Sequence, residues 1–201
     1  MAPKRCYDTA RLGEAAEEAA KRYQKLFGCD LVCKYDGVVG GGGPTQRTIV
    51  QFCWRVADGA EEKVQLRCDK ACARGVPLPD QMQSLLRRKL LEQAAKKATR
   101  VAQRSFGKDA AFACMYVAGP ESDKLKHTTK VQFSWHMVVR EFEKTHLATT
   151  RYDNVCARGV PCPTELKEAY GRHRLRMVAE LSQTVARESC GAGLNLTCRS
   201  L

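Results

Sequence analysis

The word CARGVP occurs twice in the chain, at residues 72–77 and again at 156–161. A six-residue word seldom recurs by chance in 201 residues, so the pair implies an internal duplication. The flanks agree. Val50-Gln51-Phe52-Cys53-Trp54 answers Val131-Gln132-Phe133-Ser134-Trp135, Cys33 and Tyr35 answer Cys114 and Tyr116, and Phe27-Gly28 answers Phe106-Gly107. The offset drifts from 79 at Phe27 and Phe106, through 81 at Trp54 and Trp135, to 84 at CARGVP, as small loop insertions would produce. Whatever one half folds into, the other half must accommodate.

The periodicities inside each copy set the elements. Asp8 or Thr9 caps a helix running to about Phe27, with Leu12, Ala15, Ala16, Ala19, Tyr23 and Leu26 as its apolar stripe. Glu14, Glu17 and Glu18 precede Lys21, Arg22 and Lys25, an order that complements the helix dipole, and Gly28 stops the helix. Residues 31–35 read as a short strand and 36–44, with Gly40 to Gly43, as a loop. Residues 48–56 form the clearest strand, with Val50, Phe52, Trp54 and Val56 inward. Asp58-Gly59 is a hairpin signal, and Val64, Leu66 and Cys68 continue the apolar face on the return strand. In CARGVP, Gly75 bends the chain. Asp80, with Gln83 three residues on, then opens a second helix in capping-box style. It runs to about Phe106, with Met82, Leu86, Leu90, Ala94, Ala98 and Val101 as its apolar row.

The cycle returns as strands over 111–117, 129–140 and 144–152, a second CARGVP, and a third helix over 164–189. Gly191 to Cys198 repeats the spacing of Gly107 to Cys114, so a last strand is expected over 194–198. The expected fold is α+β, a tandem α-β-β-β-α-β-β-β-α-β with antiparallel sheet and helices on one face. Its units are residues 1–77 and 78–161, with a closing helix and strand over 162–201. Either two sheets each carry a helix or one long sheet carries all three; no linker separates the copies, so one compact pseudo-twofold body with a single sheet is the preferred expectation.

Charge points to a partner. Lys plus Arg is 34 against 22 Asp plus Glu, a net +12, which favours a polyanion, nucleic acid first. The second helix concentrates it: Arg87, Arg88, Lys89, Lys96, Lys97, Arg100 and Arg104 stand against one acid, Glu92. Arg55, Lys63, Arg67 and Arg140 lie on the polar sheet face, and Arg172, Arg174 and Arg176 on the third helix. Phosphate contact needs only cations reaching from a rigid element. Stacking on bases would need exposed aromatics, and alternation places Trp54 and Trp135 inside.

Other chemistries find less support. Metalloprotease, nucleophile-elbow and dinucleotide motifs are absent. Cys72 and Cys156 stand near Arg74 and Arg158, but their recurrence within CARGVP reads as a structural turn rather than a nucleophile. The pairs Cys29-x3-Cys33 and Cys68-x3-Cys72 exceed the usual two-residue zinc turn, so no metal or other cofactor is expected. His173 reads as a packed core residue; His136 and His146 fall on neighbouring strands without completing a site. No apolar run spans a bilayer, and the first residues lack a signal region, so an intracellular, soluble protein with free thiols is expected.

A helix, three antiparallel strands and a basic alanine-rich helix together resemble the double-stranded-RNA-binding domain. Gly43-Pro44 and Gly119-Pro120 sit where that family has its glycine-proline loop, without its following histidine. Arg87-Arg88-Lys89 and Arg172-His173-Arg174 resemble its lysine cluster. The resemblance implies RNA binding through the second helix. Asp36-Gly37-Val38-Val39-Gly40 and Met115-Tyr116-Val117-Ala118-Gly119 are similar to the cystatin Gln-x-Val-x-Gly hairpin, with the glutamine replaced in both. That likeness implies a fold more than protease inhibition. The expected function is non-enzymatic binding of RNA or another polyanion through residues 80–106, as a ribonucleoprotein subunit. The competing class is a cystatin-like protein-interaction or scaffold module.

Overall fold

A computed structural model of the protein describes residues 8–40, 45–57, 59–117, 125–126, 128–140 and 142–190. The expected strand over 194–198, both glycine-proline pairs and most of the glycine loop lie outside the described residues. The elements are α1 (Thr9–Phe27), β1 (Leu31–Val38), β2 (Ile49–Val56), β3 (Glu61–Arg67), α2 (Cys68–Arg74), α3 (Asp80–Phe106), β4 (Ala111–Val117), β5 (Lys130–Val139), β6 (Phe142–Arg151), α4 (Tyr152–Arg158) and α5 (Thr164–Cys190).

The protein is mixed α+β. Its strands form two antiparallel three-stranded sheets, β1-β2-β3 and β4-β5-β6, not the single sheet expected. The lack of a linker misled: a helix joins two units as readily as a loop does. The chain divides into two compact units inside α3, between Leu90 and Leu91. Met82, Leu86 and the half-buried Leu90 belong to the first core, while Leu91, Ala95, Ala98 and Ala102 belong to the second. Around a 3.6-residue turn those two rows lie on opposite faces of the helix. The expectation of one continuous row through Ala94 and Val101 is thereby corrected, and Val101 is 55% exposed.

In the first unit, α1 begins where the Asp8 carboxylate accepts the Ala10 N–H at 3.1 Å. It ends where Gly28, in the left-handed region at φ 61°, donates its N–H to the Gln24 carbonyl at 2.8 Å. Leu12, Ala16, Ala19, Ala20 and Phe27 are buried in one core with the inner residues of β1 and β2, but Leu26, expected in that stripe, is exposed. Val50, Phe52, Trp54 and Val56 are buried as alternation requires. β1 runs three residues beyond its expected end because a bulge between Tyr35 and Gly37 lets pairing resume at Gly37 and continue through Val38. In the second unit, Val131, Phe133, Trp135, Met137 and Val139 form the corresponding inner row. Each fully buried large side chain stabilises its core by roughly 1.5–3 kcal/mol.

CARGVP closes a short helix in each unit. Cys68, expected on the return strand, instead starts α2, its N–H bonded to the Thr48 carbonyl at 2.9 Å; Tyr152 starts α4 with the same bond to Thr129. At each start an arginine forks onto a carboxylate, Arg67 on Asp69 and Arg151 on Asp153. Gly75 (φ 76°, ψ 176°) and Gly159 (φ 76°, ψ −170°) then occupy a region that only glycine enters readily. The bend delivers Val76 and Val160 into their cores. Pro77 presents its carbonyl to the Trp54 indole N–H at 3.0 Å. The Gln83 N–H bonds the Pro79 carbonyl, so Asp80 is the first helical residue of α3 rather than its cap.

Candidate nucleic-acid interface

The expected phosphate-binding cations separate into distinct environments. On the outer face of the first sheet they are neutralised locally. Arg55 pairs with Glu61 at 2.6 Å, and Lys63 with Asp36 at 3.1 Å. Arg67 is engaged by Asp69 at the head of α2. Hydrogen bonds from Gln51 and Lys63 hold the Asp36 carboxyl below the usual carboxylate range, and those from Arg55 and Cys53 do the same for Glu61. A cation already carrying a carboxylate must give it up before it can take a phosphate.

Arg87, Arg88 and Lys89 occupy the turn of α3 at the boundary between the two units. All three are half-buried, and each already has an interaction partner. On α5, Arg172 lies 3.8 Å from Glu168, while Arg176 is exposed. Arg140 is exposed in the β5–β6 turn at φ 52°.

The second half of α3 differs. Lys96, Lys97, Arg100 and Arg104 are all exposed, and none has a carboxylate oxygen within 4.0 Å among the described residues. They fall opposite the buried row Leu91, Ala95, Ala98 and Ala102, so packing of that row fixes their direction. Lys96, Arg100 and Arg104 step along one face at about 6 Å intervals. With Gln93 and Val101 they border an open hollow of about 420 Å³. Gln93 and Val101 were not anticipated as site residues. Their signal was helical phase: each stands one turn from two of the cations, but only burial reveals which face is turned outward.

Below this face the helix is held to its own sheet through side-chain amide and hydroxyl bonds. Gln103 donates to the carbonyls of Gly107 and Ala110 at 2.7 and 2.6 Å and accepts the Phe112 N–H at 3.1 Å. Thr99 accepts the Cys114 N–H at 2.8 Å. The cations thus project from a segment anchored at both the helix end and the first strand.

The remaining candidates are placed as follows. Trp54 and Trp135 are fully buried and offer no surface for base stacking. His136 points to the outer face, 3.0 Å from the Thr145 hydroxyl and 3.4 Å from Glu143; His146 lies on the inner face, 3.9 Å from Glu165. The two histidines therefore share no site. His173 stacks on Phe142 at 5.6 Å. Cys68 and Cys72, expected by a strand, are one turn apart on α2. Among the described residues no three His, Cys, Asp or Glu side chains cluster as metal ligands. Burial pushes the thiols of Cys33 and Cys114 up to about 12 and that of Cys68 to about 11, so all three stay protonated at neutral pH. No described helix is long and apolar enough to cross a membrane. Comparison with protein families, curated proteins and solved structures gives no match.

Proposed function

We propose that the protein binds RNA non-enzymatically through the outward face of residues 93–104, contacting phosphates with Lys96, Lys97, Arg100 and Arg104. One observation carries the reading: these cations are exposed, in phase and free of carboxylates among the described residues, while the sheet cations are paired. Holding them so is costly. Lys96 with Arg100 and Arg100 with Arg104 are like-charge pairs four residues apart, each destabilising a helix by about 0.2–0.5 kcal/mol. A face that lowers stability is better explained by a polyanion than by solvation alone.

The proposal includes the duplication. The two units support it in detail: strand order, the arginine–aspartate fork, the glycine bend and the 27-residue helix that follows are common to both. In this reading each copy is a helix, three strands and a following helix, and α3 closes the first copy with one half and opens the second with the other. That order is the one implied by the likeness to double-stranded-RNA-binding domains, so duplex RNA is the favoured form.

The test is a salt titration of binding to a mixed-sequence RNA duplex and to a poly(U) single strand. Changing Lys96, Lys97, Arg100 and Arg104 together to Gln should flatten the slope of log affinity against log salt by about three. It should leave thermal stability equal or higher. An unchanged slope would remove the role of this face. A second reading, a protein-interaction module, has its own observation. Met115, Ser134 and Leu147 lie in register across the outer face of the second sheet, with Met115 and Leu147 about 60% exposed. Binding there would be largely insensitive to salt.

A further inference from the structure

The last long helix is used only in part by its own core. α5 buries Leu166, Ala169 and Tyr170 there, and His173 stacks on Phe142 of β6. From Gly171 to Ser189 no side chain is buried, although a helical stretch of that length is marginal in water without packing. Leu175, Val178, Leu181 and Val185 are 53–59% exposed. At about 100° per residue they fall within one stripe about 120° wide. Gly171, Ser182 and Ser189 lie along its middle, small enough to let another helix approach closely. Arg172, Arg176, Glu180, Gln183 and Arg187 fall on the opposite side, so the segment is amphipathic. Two charges border the stripe. Arg174, Leu181 and Glu188 stand seven residues apart and share one of its edges. Arg174 and Glu188 are exposed, and neither pairs with a charged group among the described residues.

We propose that this face is covered by the same face of a second copy of the chain, the two helices running antiparallel. The charges choose the occupant and the direction. Leu175, Val178, Ser182 and Val185 follow the alternating three- and four-residue spacing of a helix–helix seam. An antiparallel copy that sets Leu175 against Val185 and Val178 against Ser182 also brings Leu181 onto its own counterpart. The same register sets Arg174 against Glu188 of the second copy. Because a twofold interface repeats each contact, both ends of the seam then carry an opposite-charge pair. A parallel copy would set Arg174 against Ala179 and Ser182 against Ser182, leaving both charges without a complement. The face is thus complementary to itself in one orientation and not in the other. The inference is independent of RNA binding, since the cations of α3 take no part in it.

Sedimentation equilibrium of the nuclease-treated full chain tests it. The parent should be a dimer, and Val178→Asp plus Leu181→Asp should be a monomer at the same concentration. Arg174→Glu alone, or Glu188→Arg alone, turns two attractive pairs into two repulsive ones and should raise the dimer dissociation constant about tenfold. The two reversals together restore opposite charges across an antiparallel seam and should return the constant to that of the parent. That recovery also shows that the single variants are folded. A monomeric parent would overturn the proposal, as would a dimer that survives Val178→Asp plus Leu181→Asp. Single reversals that weaken the dimer without recovery in the double variant would overturn it too, because the antiparallel register requires that recovery. Failure of the salt titration on α3 with the dimer intact would sink only the phosphate reading.

Discussion

The two tryptophans occupy equivalent inward positions but differ by one hydrogen bond. The Trp54 indole N–H reaches Pro77, whereas that of Trp135 is buried with no partner among the described residues. Replacing either by Phe removes similar volume. At Trp54 it also strands the Pro77 carbonyl; at Trp135 it deletes an unsatisfied donor, whose burial is itself unfavourable. Trp54→Phe should therefore cost about 1 kcal/mol more than Trp135→Phe, read as local stability from hydrogen exchange in β2 and β5. Equal losses would mean that the Pro77 contact contributes nothing net.

At the scale of elements, α3 carries most of the consequences. Leu86 is buried in the first core and Leu91 in the second, five residues apart on one helix. Leu86→Ala should lower exchange protection in β1–β3, and Leu91→Ala in β4–β6, each by roughly 2–5 kcal/mol. If either change loosened both sheets equally, the division between Leu90 and Leu91 would not be an energetic one. This helix also marks what the sequence made legible. Its ends were readable from Pro79 and Gly107, and its charge from a count of Lys and Arg. The change of buried face at Leu91 was not, because an i, i+4 row drawn through Leu90, Ala94 and Ala98 is also apolar. Periodicity finds an apolar face; it does not say that a helix has two, each facing a different sheet. The candidate site suffered in the same way. Its cations were all named in advance, but pairing with Glu61 and Asp36 depends on cross-strand register, which a single strand's pattern does not contain. Strand interiors fared better, since Phe52, Trp54, Phe133 and Trp135 obey simple alternation.

Over the whole molecule, the sheets meet solvent differently. The outer face of the first carries Arg55–Glu61 and Lys63–Asp36, while that of the second carries Met115, Ser134 and Leu147. Glu61 and Asp36 have lowered folded-state pKa values, so their contribution is complete above the unfolded carboxylate value of about 4. It is lost as pH falls through the folded values. Between pH 5 and 3, protection in β1–β3 should drop more than in β4–β6, as followed by exchange after correction for intrinsic rates. The reverse order would show that these pairs do not stabilise the first sheet.

The two indoles have one more use. The chain holds no other tryptophan, and each core shelters one of the pair. Intrinsic emission is therefore a built-in optical label: with either ring replaced, the light that remains comes from a single unit, and the separate melting of the two becomes directly visible.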